Sequence, residues 1–468
     1  MKPLLALRLL RSEGPRALCD RASDRLAEAR RRRSFRPAAA PPQGFAAAVL
    51  NLSATPPAPR LGGVQAQLLL RLDAEAERRP VALLYAEARA GSAPSVRGRA
   101  DYRLELSAPG SPDLGRCALA LPGAPPSAVA LDDPAFEEAV GRAAGWARAA
   151  ALHVEGLAGL PLGSLLRLRQ SGLRLILALH DFSAFCPRPH LFEETVPRRF
   201  CCYSRDRERC RACLAATWPT LDAAFQERRR ELSRQLLAAA DALIFPSSFL
   251  AGAYGELFGG EGAARVRIQA PAGQAPHSLA APPTAPPGRQ LRHAAFVGSV
   301  QAHKGALVFA DAVERLAAAG HRLRFTVYGG GEPAILARLR RLPGVRVRGY
   351  FRAGALPALL RADRVDLALL LSIVPESYGL TLDECAAAGV PAAAFDLGAL
   401  GERLRATGGL LLPAGGGTAA VADLLADLLA GRAQLPAPPP AGAQLSAGAA
   451  AAACLDLYRE LGLTLPGS

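Results

Sequence analysis

The chain has 468 residues, of which 50% are hydrophobic and 21% are charged, and its net charge at pH 7 is +15. This length exceeds one ordinary hydrophobic core, so we expect two or more domains. The composition excludes an intrinsically disordered chain. The sequence shows neither a membrane span nor an export signal, and its nine cysteines are therefore expected to be reduced thiols in the cytoplasm.

The beginning of the chain holds much of the positive charge. Residues 1–36 contain eleven Lys or Arg and four Asp or Glu, a net charge of +7. Leu18, Ala22, Leu26 and Ala29 recur at helical spacing, with arginines on the other face. We predict a basic amphipathic arm over 1–44. Two interpretations stay open, a solvated helix packed on a domain and a helix that contacts an anionic membrane on its inner face.

The rest of the chain alternates short apolar runs with amphipathic segments. One series covers 45–270 and a second covers 291–435, separated by a Pro/Ala-rich linker at 271–290. A Pro/Ala-rich segment and a closing helix occupy 436–468. Nearly continuous apolar strands predict parallel sheets covered on both faces. The predicted fold class is α/β, with two facing Rossmann-like domains and a ligand-binding cleft between them.

One strand-to-helix turn in the second series carries two carboxylates. The stretch PESYGLTLDE places Glu376 in the loop and Glu384 in the helix, with Gly379 between them. Backbone N–H groups at Gly379, Leu380 and Thr381 are expected at a helix N-terminus, which is a ready anion site. Carboxylates accept hydrogen bonds from ribose and hexose hydroxyls. The pattern therefore favours a phosphorylated ligand that carries hydroxyls at both ends.

Each carboxylate also has a purely structural interpretation. The run TLDE fits a capping box, in which Thr381 and Glu384 satisfy each other's backbone N–H groups. Glu376 could be a solvent-exposed loop acid.

Glycines follow several of the predicted strands. FVGSVQAHKG places Gly298 at a strand end and Lys304 at the start of the next helix, an arrangement that can cradle a diphosphate. Gly329, in YGGGEP, marks a second turn, and Gly62 and Gly63 open the first long helix of the other half. A tight turn without any ligand is the alternative for each of them.

Residues 291–435 resemble the sugar-donor lobe of the retaining glycosyltransferases of family four, which have the two-domain GT-B fold. The resemblance rests on two glutamates separated by seven residues, the strand-end glycine, the Lys-Gly step at 304–305 and the AAAGVP that follows. FDLGALGERL, at 395–404, resembles a bacterial subset that builds surface polysaccharides. Ser299 stands where many relatives carry arginine.

The resemblance implies a role for each matched residue. Glu384 is expected to hold the nucleotide ribose and Glu376 to contact the transferred sugar. The diphosphate is expected to meet Gly379, Leu380, Thr381 and Lys304. LILALHDFSAFCP, at 175–187, resembles the His-Asp region of the same enzymes, which implies that His180 lines the reaction centre.

The expected activity is therefore that of a retaining hexosyltransferase without a catalytic cofactor. Its partners are a nucleoside-diphosphate sugar and a growing glycan or lipid-linked acceptor. The alternatives are a phosphorylase or epimerase of the same fold and a non-catalytic sugar-nucleotide-binding or scaffold protein. Nucleic-acid binding is not favoured, because the arginines are concentrated in the arm and no aromatic residues are interleaved with them.

Five of the nine cysteines fall within 28 residues. Four of them have spacings that could supply thiolates to a structural zinc or an iron–sulfur centre, namely Cys186, Cys202, Cys210 and Cys213. Reduced thiols without a metal are the alternative.

Overall fold

The computed structural model of the protein describes residues 3–58, 62–88, 100–108, 116–121, 129–195, 199–260, 262–273, 290–437 and 445–465. Most of the predicted linker at 271–290 and part of the Pro-rich segment at 436–444 lie outside these residues. The chain divides into two compact units. We call them the N-terminal unit (Glu28–Leu191, Cys202–Ala272 and Leu445–Ser468) and the C-terminal unit (Met1–Ala27, Phe192–Cys201 and Gly273–Gln444).

The arm consists of two helices, α1 (Pro3–Glu13) and α2 (Pro15–Arg33). The polar side of the arm packs on the C-terminal unit. Glu13 is buried and accepts hydrogen bonds from Arg21 and from the backbone N–H of Tyr350. Asp24 accepts a hydrogen bond from the Tyr350 hydroxyl. Leu26, part of the predicted apolar stripe, is 61% exposed. Ala22 is also exposed, whereas Leu18 and Ala29 are half-buried, so the protein covers the stripe only in part.

The N-terminal unit is built around a sheet of nine described strands in the order β1-β5-β4-β3-β2-β6-β7-β8-β9. β4 runs antiparallel to both of its neighbours, and the other pairs are parallel. The strands are β1 (Arg36–Pro37), β2 (Val49–Ser53), β3 (Val81–Ala88), β4 (Ala100–Ser107), β5 (Arg116–Leu121), β6 (Ala151–Glu155), β7 (Arg174–Ala178), β8 (Ala242–Phe245) and β9 (Val266–Ile268).

Six helices connect these strands in the part of the unit that the structure describes. They are α3 (Gly63–Ala76), α4 (Pro134–Ala147), α5 (Leu162–Gln170), α6 (Arg207–Ala215), α7 (Phe225–Ala239) and α8 (Ser248–Phe258). Polar side chains cap three of them. Asp133 accepts from the N–H of Phe136 at the start of α4, Asp206 from that of Arg209 at the start of α6, and Ser247 from that of Leu250 at the start of α8.

The C-terminal unit contains a six-stranded sheet in which every pair is parallel, in the order β12-β11-β10-β13-β14-β15. The strands are β10 (His293–Val297), β11 (Arg324–Tyr328), β12 (Val345–Gly349), β13 (Leu367–Leu370), β14 (Ala392–Phe395) and β15 (Leu410–Leu412). The strand order reverses between β10 and β13, where ligands bind in such sheets.

Helices cover both faces of this sheet. They are α9 (Ala306–Ala318), α10 (Pro333–Leu339), α11 (Leu356–Ala362), α12 (Leu380–Ala388), α13 (Gly398–Thr407) and α14 (Gly417–Leu429). Along β10, Ala294 and Phe296 pack into one apolar layer, and Ala295 and Val297 pack into the other. This burial on both sides explains the nearly continuous apolar strands and confirms the predicted α/β class.

The last helix, α15 (Ala447–Glu460), returns to the N-terminal unit. Its Cys454 and Tyr458 are buried against Ile176 and Ile244 of the sheet. Among the residues that the structure describes, no helix combines the length and apolar character needed to cross a membrane.

Candidate functional site

Two glycine turns meet at the carboxyl edge of the C-terminal sheet. Gly298 follows β10 with a φ of 140°, and Gly329 follows β11 with a φ of 145°. A Cβ atom on Gly329 would collide with the carbonyl oxygen of Gly298. The predicted turns therefore lie directly against each other, and the second requires glycine for both its backbone conformation and its packing.

Lys304 ends a short 3₁₀ turn, Ala302–Lys304, before α9 begins. Its ammonium group lies 2.5 Å from Oε1 of Glu376, and the two side chains are 25% and 20% exposed. Gly305 adopts a left-handed conformation against the backbone of Leu371, which holds this turn on the end of β13. Two residues that the sequence assigned to different parts of a ligand thus form one ion pair.

The backbone of Glu376 is held by the start of α13. Glu376 pairs with Gly398 in an isolated parallel bridge, and the N–H of Ala399 donates to the Glu376 carbonyl at 2.9 Å. A Cβ atom on Gly398 would lie 2.7 Å from the Glu376 nitrogen. We did not predict these backbone contacts of Glu376, although Gly398 lies within the FDLGALGERL stretch at 395–404.

The turn before α12 is formed by a left-handed glycine. Gly379 is the N-cap, with φ 86° and ψ 64°, and no side chain caps the helix. Because the helix begins at Leu380, Glu384 is its fifth residue, and the capping-box interpretation is wrong. Within the described residues, no acceptor pairs with the N–H groups of Gly379, Leu380 or Thr381. These three donors give the turn the character of an anion site.

Glu384 is 8% exposed, and no described side chain donates a hydrogen bond to it. Burial, with a smaller contribution from the neighbouring charge of Asp383, raises the pKa of Glu384 to about 7. Asp383 itself pairs with Arg403 of α13, a residue that we did not single out from the sequence. Glu384 is therefore a buried carboxyl group whose charge no described cation balances directly.

His180 follows β7 in the N-terminal unit. Its Nε2 lies 3.4 Å from Oε2 of Glu155, at the end of the adjacent strand β6. Both residues line a cavity of about 50 Å³, together with Arg71 and with Val64 of α3. The N-cap of α3 is Gly62, with a φ of 143°, and Gly63 is its first residue. The predicted glycines thus begin a helix that lines the same cavity as His180.

A buried polar network supports this cavity. Arg71 pairs with Glu75 and with Glu155, and it donates to Tyr458 at 3.3 Å. Burial acts to raise the pKa of Glu155, but Arg71, His153 and His180 together outweigh it, and the carboxyl pKa is held well below its usual range. Burial lowers the pKa of His153 to about 3 and keeps that ring neutral. The network therefore holds an ionised Glu155 beside His180.

The clustered cysteines do not form a metal site. Among the described residues, no group of three or more His, Cys, Asp or Glu side chains is arranged to hold a metal ion. Cys202 is exposed whereas Cys213 is buried, and Cys210 lies 3.7 Å from the guanidinium of Arg230. None of the nine cysteines, all of which are described, forms a disulfide. The described residues therefore do not assemble the predicted zinc or iron–sulfur ligand set.

Comparisons with known proteins identify the fold. Residues 292–431 match the family model described as Glycosyl transferases group 1. No curated protein matches significantly. Sucrose-phosphate synthase from Thermosynechococcus elongatus superposes with a TM-score of 0.55 at 17% identity, covering 88% of this chain and 99% of that chain. HepE from Anabaena, in complex with UDP and glucose, gives a TM-score of 0.47 at 14% identity, covering 89% of this chain and 98% of that chain. The chain therefore has the GT-B glycosyltransferase fold, and its residues 292–431 match a group 1 glycosyltransferase domain.

Proposed function

We propose that the protein transfers a hexosyl group from a nucleoside-diphosphate sugar to a growing glycan or lipid-linked acceptor, with retention at the anomeric carbon. The observation that carries the proposal is the carboxyl edge of the C-terminal sheet. There the Lys304–Glu376 pair, three N–H groups without described acceptors and the buried Glu384 all belong to the glycosyltransferase segment.

The diphosphate is the leaving group in this reaction, and its negative charge grows as the sugar departs. The N–H groups of Gly379, Leu380 and Thr381 and the ammonium of Lys304 supply the opposing charge. Because these groups are held in place before the reaction, they need little reorganisation. The proposal requires no catalytic metal, since amides and lysine perform the charge stabilisation.

Lys304 and Glu376 neutralise each other's charge in this structure. In the proposed complex, Lys304 moves to the diphosphate, and Glu376 is released to accept hydrogen bonds from the hydroxyls of the transferred sugar. Glu384, with no described donor, accepts from the ribose hydroxyls. His180 is assigned a place beside the transferred sugar, where Glu155 orients its ring. Retention and the bacterial surface-polysaccharide role come from the family resemblance.

The test is a panel of nucleoside-diphosphate sugars, each incubated with the protein with and without glycan acceptors. Release of the nucleoside diphosphate together with a glycosylated product of retained anomeric configuration supports the proposal. Binding without turnover would favour the scaffold alternative. Turnover with inorganic phosphate as the only acceptor would favour a phosphorylase.

We further propose that the outer face of the arm contacts an anionic membrane surface, where a lipid-linked acceptor would be found. Leu7, Leu10 and Leu26 are exposed, with Arg11 and Arg16 exposed beside them. The four acids of the arm are buried or half-buried. An apolar and basic face without exposed acids suits an anionic bilayer.

A further inference from the structure

Arg403, on α13, lies behind the turn that opens α12. Its Nη1 donates to the carbonyl oxygens of Tyr378 and Gly379, each at 3.2 Å. Its Nη2 pairs with the carboxylate of Asp383, and its guanidinium carbon lies 4.1 Å from the centre of the Tyr378 ring. The side chain is only 12% exposed. One guanidinium therefore contacts the turn at four points.

These contacts orient the peptide groups of the turn. In a trans peptide, the carbonyl group and the next N–H point in opposite directions. Because Arg403 holds the carbonyls of Tyr378 and Gly379, the N–H groups of Gly379 and Leu380 point away from the guanidinium. They are two of the three N–H groups that lack an acceptor among the described residues. A cation on the carbonyl side also polarises each peptide and strengthens its N–H as a donor.

We propose that Arg403 is a positioning residue for diphosphate recognition, which acts through these two peptide groups without touching the ligand. The inference rests on the proposed function and deepens it, because it names a cation that the diphosphate site uses indirectly. Arg403 holds the turn from the side opposite to these two N–H groups.

The planar fork of arginine is essential to this role. Arg403 reaches two carbonyls, a carboxylate and an aromatic face at once, whereas a lysine ammonium is a point charge that cannot hold all four. Arg403→Lys keeps the charge but loses the geometry. Arg405, on the same helix, is 56% exposed and pairs with Asp396 at 2.5 Å, so Arg405→Lys is the matched control.

The experiment measures dissociation constants by calorimetry for UDP, ADP and GDP and, for the one that binds, for the corresponding nucleoside without phosphates. In Arg403→Lys we expect affinity for the nucleoside diphosphate to fall about tenfold, the effect of losing a charge-assisted hydrogen bond. Affinity for the nucleoside should not change, because the base and ribose do not depend on the two oriented N–H groups. Arg405→Lys should match the wild-type protein with both ligands.

The outcomes separate this inference from the proposed function. If the wild-type protein binds a nucleoside diphosphate but Arg403→Lys binds it equally well, or loses both ligands equally, the positioning role is overturned and the proposed function stands. If the wild-type protein binds none of the diphosphates, both are overturned. Thermal unfolding of each variant shows whether it is folded, and Arg403→Gln provides a second variant if the lysine form is not.

Discussion

The ammonium group of Lys304 and the carboxylate of Glu376 lie 2.5 Å apart, although 72 residues separate them in the chain. Lys304 follows β10 and Glu376 follows β13, and these two strands are neighbours at the point where the strand order reverses. The topology of the sheet therefore brings the two charges together at the edge where parallel α/β sheets bind ligands.

Glu376→Gln should lower the rate of sugar transfer by roughly 100-fold, a loss typical of removing one group that stabilises a transition state. Lys304→Met should weaken binding of the nucleoside diphosphate, because it removes the only side-chain cation that we assign to the phosphates. Steady-state kinetics and calorimetry measure the two effects. Glu314→Gln is the control, since Glu314 is exposed on α9 and pairs with Arg338. Full activity in Glu376→Gln would refute the assigned site.

Gly379→Ala should destabilise the protein and weaken nucleoside-diphosphate binding. Its left-handed backbone disfavours any side chain, and a Cβ atom would collide with the side chain of Leu400. Gly320→Ala is a matched control, since Gly320 has a similar φ of 79° but no atom within 4 Å of the added Cβ. We expect backbone strain to lower the free energy of unfolding of both variants by about 1–2 kcal/mol. Only Gly379→Ala should lose further stability and ligand affinity in denaturation and calorimetry, and equal effects would contradict the packing argument.

Glu384→Gln should raise the stability of the protein at alkaline pH. The pKa of Glu384 is raised from 4.5 to about 7, so the folded protein binds more protons than the unfolded chain between these values. The contribution of this group to stability is therefore full below pH 4.5 and is lost as the pH rises through about 7. The free energy of unfolding that this group loses between the two pH values is on the order of 3 kcal/mol. Urea unfolding at several pH values should show that the free energy of unfolding of the variant increases relative to that of the wild-type protein as the pH rises. A difference between the two that does not change with pH would argue against the raised pKa.

The same carboxyl group predicts a pH dependence of sugar-donor binding. Ribose hydroxyls donate more strongly to an ionised carboxylate than to a neutral acid. Affinity for the nucleoside-diphosphate sugar should therefore increase as the pH rises through about 7, the pKa of Glu384. Calorimetry with an intact nucleotide sugar avoids the titrating terminal phosphate of the diphosphate. Glu384→Gln should remove the pH dependence, and its persistence in that variant would exclude Glu384 as the cause.

Arg71→Met should destabilise the N-terminal unit by about 3–5 kcal/mol, because it leaves the carboxylate of Glu155 buried without its arginine partner and removes one of the two arginines that pair with Glu75. Arg142→Met is the control, since Arg142 is 43% exposed and pairs with Glu138 on the surface of α4. Loss of the surface pair should lower the free energy of unfolding by less than 1 kcal/mol. Denaturant unfolding measures both, and equal costs would show that the network is not a stabilising element.

Leu26→Asp should weaken sedimentation of the protein with vesicles that contain phosphatidylserine, and phosphatidylcholine vesicles should bind little of either form. Leu26 is 61% exposed, so the change should not disturb the fold. Leu307→Asp is the control, because Leu307 is 38% exposed but lies on α9 rather than on the arm. No binding of the wild-type protein to anionic vesicles would exclude the proposed membrane contact.

The α/β class and the parallel sheet of the C-terminal unit could be predicted from the sequence, because strands buried on both faces are nearly continuous apolar runs, such as LALLL at 367–371. The GT-B fold was predicted from the family resemblance, and the antiparallel β4 was not predicted. The glycine turns were visible for a similar reason. Gly298, Gly329 and Gly379 all have positive φ, a conformation that side chains disfavour, so the residue type itself reports the backbone.

Predictions from local sequence patterns failed where a contact depends on a residue that is distant in the chain. TLDE has the spacing of a capping box, but the left-handed Gly379 begins the helix earlier and places Glu384 in a buried position. The apolar stripe of the arm could not decide between a helix packed on a domain and a helix on a membrane surface, and it did not indicate that Glu13 and Asp24 dock the arm and leave Leu26 exposed. The cysteine spacing suggested a metal ligand set that the fold does not assemble.

The amino-acid sequence by itself determined which segments become strands, helices and glycine turns, because periodicity and backbone preference act over a few residues. Only the tertiary structure decided that Lys304 pairs with Glu376, that Arg403 orients the turn before α12 and that Arg71 holds Glu155 ionised. Such contacts join residues from different strands and helices. Their energies depend on distance, burial and direction, which are set only when the sheets have formed and the strand ends meet.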